Sequence, residues 1–176
     1  MDKFIKEWVP YIVIIIVVIL IRTYIVTPVI VRGDSMYSTL EDGEVLFLSK
    51  INYQVSDIKR FDIVVVEDLD NDLIIKRVIG LPGDKVEYKE GFLYINDEEI
   101  KEDYTDYIME DFDTDSICKI TDLECNGFIP DNKYLVLGDN REVSADSRVK
   151  GLINRNQILG KTVLRILPLN KIIITK

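Results

Sequence analysis

The chain of 176 residues contains no histidine. That absence removes every Ser-His-Asp and Cys-His catalytic arrangement, and any metal site built on imidazole. A nucleophilic hydroxyl here needs another base, and among the remaining side chains lysine serves once its ammonium has lost a proton. Cysteine is nearly absent too. Cys118 and Cys125 are the two present, too few for a zinc site and open either to one disulfide, if the domain lies outside the cytoplasm, or to two free thiols. An excess of positive charge is also missing: the formal net charge is −9, which argues against a nucleic-acid partner, since such proteins neutralise phosphates with clustered Lys and Arg. The negative charge is concentrated. Residues 97–124 hold twelve acids against two lysines, and read as a solvated insert without chemistry of its own. Internal repeats, low-complexity linkers and a long amphipathic helix are absent as well.

What the chain has in plenty is apolar sequence near its start. Trp8 to Ile21 reads WVPYIVIIIVVILI without a charge, and after Arg22 the apolar character resumes through Val31. As a helix the uncharged run spans roughly 21 Å, short of a hydrocarbon core of about 30 Å; extension to Val26 or beyond, with Arg22 reaching for the interface, closes the gap. No small-x-small cleavage pattern follows the run, so the expectation is a retained anchor over residues 8–31 rather than a removed signal peptide. Lys3 and Lys6 on one side face Arg22 and Arg32 on the other, so charge alone leaves the orientation open.

Beyond the anchor, β-branched runs alternate with turns. Strands are predicted over Glu44–Ser49, Asp62–Glu67, Leu73–Leu81, Lys85–Lys89, Phe92–Asn96, Lys133–Leu137 and Gln157–Leu167. VEYKEGFLYIN reads as a hairpin turning at Glu90-Gly91, and LPGD as a turn. The fold class expected is mainly β, an antiparallel sheet domain behind an N-terminal transmembrane helix, with the acidic stretch inserted in or beside it.

Three polar segments stand out. Gly33-Asp34-Ser35-Met36-Tyr37-Ser38-Thr39-Leu40 follows the anchor directly. Its glycine permits close backbone approach, so Ser35 can present a hydroxyl and offer its own N–H to an oxyanion. Lys76-Arg77-Val78-Ile79-Gly80-Leu81-Pro82-Gly83-Asp84 closes a strand whose alternation places Lys76 with Ile74 and Val78, and Arg77 on the other side. Apolar neighbours disfavour the ammonium form, and moving a lysine from about 10.4 to near 8 takes roughly 3 kcal/mol, within what burial supplies. The third segment, Gly138-Asp139-Asn140-Arg141-Glu142-Val143-Ser144-Ala145-Asp146-Ser147-Arg148-Val149-Lys150-Gly151, is dense in turn formers and paired charges. If extended, it would put Ser144, Asp146 and Arg148 on one face.

In this order after an N-terminal span, the three segments resemble the blocks of the type I signal peptidases: GxSMxPTL-like, KRVIGLPGD-like and GDNRxxSxDSRxxG-like. The second and third match at every specified position; FDIVVV at Phe61–Val66 looks like the family's intermediate strand, and the likeness runs through Ile158-Leu159-Gly160-Lys161. The resemblance implies Ser35 as nucleophile, Lys76 as general base and Ser144 as the hydroxyl that positions the lysine amine. It implies a supporting ion-pair scaffold of Asp146, Arg148, Arg77 and Asp139, and a substrate pocket lined by Met36 and Ile75. It further implies secretory preproteins and the lipid bilayer as partners, cleavage after small residues in Ala-x-Ala type sites, and chemistry needing no metal or cofactor. Residues 1–7 would then be cytoplasmic and 32–176 an extracytoplasmic catalytic domain, in a compact enzyme of Gram-positive type. Two positions depart from the pattern: Ser38 stands where the family usually has proline, and Phe61 where it often has glycine. Some members also carry an oxyanion-donating serine where this chain has Gly33. Other readings are a LexA-like self-cleaving protease, which shares the Ser-Lys logic, and a catalytically silent scaffold for export or pilus assembly.

Overall fold

The computed structural model describes residues 2–24, 26–49, 57–68, 72–168 and 173–174; the side chains of 2–6, 21–24, 26, 163 and 173–174 lie outside that description. Helix α1 spans Asp2–Tyr24, and from Tyr11 to Leu20 ten consecutive apolar side chains are exposed, so no face of the helix is covered by protein. Among the described residues no helix is long and apolar enough to cross a membrane. The apolar run expected to continue the anchor toward Val31 changes conformation instead: Val26–Ile30 is strand β1. Two β-branched valines, Thr27, Ile30 and Pro28, which cannot donate to a helix ladder, favour the extended form.

The remaining strands are β2 (Val45–Ser49), β3 (Ile63–Glu67), β4 (Leu73–Gly80), β5 (Val86–Lys89), β6 (Phe92–Ile95), β7 (Glu98–Ile100), β8 (Phe112–Asp113), β9 (Lys133–Leu137), β10 (Ile153–Asn154), β11 (Ile158–Leu167) and β12 (Ile173–Ile174). Two short helices join them, α2 (Thr114–Lys119) and α3 (Ser147–Lys150). The larger sheet runs β1-β2-β11-β3-β4-β9-β10, with β12 on β11. All its pairings are antiparallel. A second sheet, β7-β6-β5-β8, stands beside it. Its β5–β6 hairpin turns at Glu90 and Gly91, both at positive φ (54° and 85°), the backbone a two-residue hairpin loop requires.

Both faces of the larger sheet are covered, which explains why β3 is an unbroken apolar run. Val64 and Val66 pack with Val78, Val136 and Ile158 on one side; Ile63 and Val65 pack with Met36, Leu40 and Leu46 on the other. A third core lies where the second sheet meets the first, around Ile79, Val86, Tyr88, Leu93 and Leu135. The acidic stretch contributes to that core through Met109, Ile117 and Cys118, and Cys118 is bonded to Cys125, just beyond it. The reading of 97–124 as a purely solvated insert is therefore corrected: most of its acids face water, but Glu102 is paired with buried Arg141, and Met109, Ile117 and Cys118, spaced too irregularly to register as a pattern, are buried.

Candidate active site

Ser35 lies in the turn that follows β1, and Lys76 lies within β4, opposite Val64 of β3. The folded sheet brings them together, with Lys76 Nζ 2.7 Å from Ser35 Oγ. Lys76 is only 3% exposed. Burial is the largest influence on its amine and lowers the pKa from 10.5 to about 8, against the opposing pull of Asp146 and then Asp139, with Arg148 adding to the lowering. A usable fraction of neutral amine, roughly a tenth at pH 7, is thus available beside a hydroxyl.

The segment 138–148 buttresses this pair. Asn140 N–H donates to the Ser35 carbonyl (3.1 Å). Gly138 has no room for a side chain, since a Cβ there would collide with the Ser35 carbonyl oxygen and with Ser144. Among the described residues, Ser144 Oγ is buried without a hydrogen-bond partner, and Asn140 Oδ1 is in the same condition. Ser144 is thus brought close to the Ser35 backbone, and a hydrogen bond from it to Lys76 is not formed in this structure. The extended arrangement considered for Ser144, Asp146 and Arg148 is also corrected. Asp146 is the N-cap of α3, accepting from Arg148 N–H, and the turn lets the Arg148 guanidinium return to the same carboxylate at 2.9 Å. Helix capping outcompetes extension because Asp before a free helix N-terminus satisfies donors that a strand would leave to a partner. The other Asp146 oxygen accepts from Gly138 N–H (3.0 Å).

Arg77 and Asp139 form a second buried pair, joined by Nε–Oδ1 (2.9 Å) and Nη2–Oδ2 (2.6 Å) bonds. Thr39 donates to Asp139 Oδ2 (2.5 Å), and Arg77 Nη1 donates to the Phe61 carbonyl (3.1 Å). Phe61 itself sits at φ 68°, a left-handed backbone natural to glycine and costing another residue roughly 1–2 kcal/mol. Its ring packs against Tyr104, centroids 5.7 Å apart. Thr39, Gly138, Asn140 and Tyr104 were not singled out from sequence. The first three lie inside the polar blocks, where a close reading of turn residues could have found them; Tyr104 carries no local signal.

Met36 and Ile75 line a groove of about 760 Å³ that ends at Ser35 and Lys76, with Thr27 to Arg32 on one wall and Asp72 to Ile75 on the other. β1 and β4 form its walls although three strands separate them in the sheet, so the sheet is curled into a half-barrel. Among the described residues no group of His, Cys, Asp or Glu side chains is placed to hold a metal ion.

The chain is similar to known proteins over most of its length. Residues 5–167 match the model of the signal peptidase family, peptidase S26. Signal peptidase IB of Staphylococcus aureus (strain COL) is 41% identical, covering 97% of this chain and 94% of its own. Signal peptidase I S of Bacillus subtilis (strain 168) is also 41% identical, over 96% of this chain and 92% of its own. The crystal structure of a signal peptidase I from Enterococcus faecalis V583 superimposes with a TM-score of 0.51 at 33% identity, over 61% of this chain and 97% of that one. The chain belongs to the signal peptidase S26 family and is a serine endopeptidase.

Proposed function

We propose that this protein is a membrane-anchored signal peptidase that cuts exported preproteins after small residues, with Ser35 as nucleophile and Lys76 as general base. The observation that carries the reading is the 2.7 Å approach of a buried lysine amine to a serine hydroxyl at the end of a groove. Neutral Lys76 takes the Ser35 proton as Oγ attacks the scissile carbonyl carbon, and the resulting ammonium returns the proton to the departing amine of the mature protein. Water, deprotonated by the same amine, then hydrolyses the ester on Ser35, and the signal peptide leaves with a new carboxylate. The N–H of Ser35 would serve as a donor to the oxyanion.

The groove supports a substrate bound as an added strand. Val31 N–H donates toward β2, at Glu44, and the unbroken register of β1 carries that phase to Val29 and Thr27. Pro28 and Ile30 therefore turn their backbone groups to the open edge. Proline is tolerated there because that N–H has no ladder partner to lose. On the other wall Val78 donates to Asp62, so Leu73 and Ile75 of β4 present their backbone outward, below the level at which β9 pairs. A substrate strand would bond Ile30 on one side and Ile75 on the other, with shallow room above buried Met36 and Ile75 favouring small side chains. The exposed apolar face of α1 supports a bilayer anchor, and the Cys118–Cys125 disulfide fits an extracytoplasmic domain.

Cleavage of a preprotein bearing an Ala-x-Ala site tests this, with the cut mapped by mass. Wild type is expected to cut after the second alanine, with Ser35→Ala and Lys76→Ala each slower by at least about a thousandfold. Undiminished cutting by Ser35→Ala would sink the reading.

A further inference from the structure

The acidic insert reaches the site through one aromatic ring. Tyr104 lies over the Arg77 guanidinium, 4.0 Å from carbon to ring centroid, a cation–π distance. Its hydroxyl donates to Glu102 Oε1 (2.5 Å), and Glu102 is paired with buried Arg141, whose Nε donates to the Gly138 carbonyl. The next residue, Thr105, donates to the Asp139 carbonyl (2.7 Å). Phe61, whose carbonyl accepts from Arg77, closes the other edge of the ring. Residues 102–105 therefore touch Arg77 and Arg141, together with Asp139, which Arg77 neutralises.

We infer that Tyr104 is a positioning residue for catalysis, the ring of the insert sealing the Arg77–Asp139 pair against water and so keeping the Asp139 carboxylate neutralised behind Lys76. This rests on the function proposed above. The charged groups around Lys76 are Asp146, Asp139 and Arg148; those facing Tyr104 are Glu102, Arg141 and Arg77. The Tyr104 hydroxyl stays protonated, its pKa pushed up by burial and then by the Glu102 carboxylate. Removing the ring admits water and loosens Arg77 from Asp139. A less neutralised Asp139 carboxylate favours the ammonium form of Lys76, so the shift is upward.

The test is kcat/KM against pH for the full chain in detergent, for wild type, Tyr104→Ala, Tyr104→Phe and Thr105→Val. Tyr104→Ala is expected to move the rising inflection upward by about half to one unit, a three- to tenfold loss at neutral pH that is recovered in alkali. Tyr104→Phe, which keeps the ring over Arg77, should return the inflection to the wild-type position, and Thr105→Val should move it upward by less. A loss of rate uniform across pH, with the inflection unmoved, overturns the inference and marks the ring as structural only. Should Tyr104→Ala fail to fold, the Thr105→Val inflection decides by the same criterion. A wild type without pH-dependent cleavage would instead refute the underlying Ser35/Lys76 reading.

Discussion

Burying Lys76 works against its charged form and brings its pKa down to about 8, so that a minor fraction of the amine is neutral near physiological pH, which the proposed mechanism uses. The side chains behind it are fixed by contacts that tolerate little change. Gly138 is the sharpest case, because the space a methyl group would need is occupied by the Ser35 carbonyl and by Ser144. Gly138→Ala is expected to destabilise the fold by about 1–3 kcal/mol and to cost more in activity than that loss explains, because relief of the clash displaces Ser35 itself. Denaturant unfolding beside cleavage rates on the same preparation checks this; full activity in a destabilised variant would show that the clash is relieved away from Ser35. Ser144, expected to orient the lysine, has its hydroxyl buried without a partner among the described residues.

Among the elements, those set by local chemistry were legible in the sequence. The β5–β6 hairpin declares itself through Glu90-Gly91, and β3, β4 and β9 through β-branched runs bounded by turns. The pairing of Arg77 with Asp139 and the approach of Ser35 to Lys76 come through the resemblance rather than from spacing, since these contacts join residues far apart in the chain, whereas Arg148 and Asp146, two residues apart, are paired by a local turn. Strand β1 was hidden because its apolar residues run on from those of α1, and hydropathy alone does not mark where a helix stops. The decisive mark is Pro28, which ends one ladder and suits the edge of another. The insert was misread for the opposite reason: twelve acids dominate its composition, while its contribution comes from scattered residues such as Tyr104, Met109 and Ile117 whose burial depends on partners elsewhere. Helix α3 escaped notice because four residues carry too little periodicity to read, and its cap at Asp146 becomes evident only in the fold.

As a whole the molecule joins a charged, half-barrel domain to a helix with apolar side chains on every face. Ten exposed side chains from Tyr11 to Leu20, at roughly 1 kcal/mol each for partial transfer out of water, favour the proposed association of the helix with lipid. The full chain is expected to sediment with membranes and to resist extraction by alkaline carbonate, while externally added protease reaches the domain beyond residue 32. Release into the soluble fraction would refute the anchor. The central claim, that a neutral Lys76 amine takes the Ser35 proton, is tested most directly by kcat/KM for preprotein cleavage as a function of pH with the protein in lipid. Because the base acts only when deprotonated, the rate should climb about tenfold per unit below the inflection and level off above it, with the inflection near the lysine value of about 8. A rate independent of pH from about 5 to 9 would contradict the claim, because no neutral lysine would then be limiting the reaction.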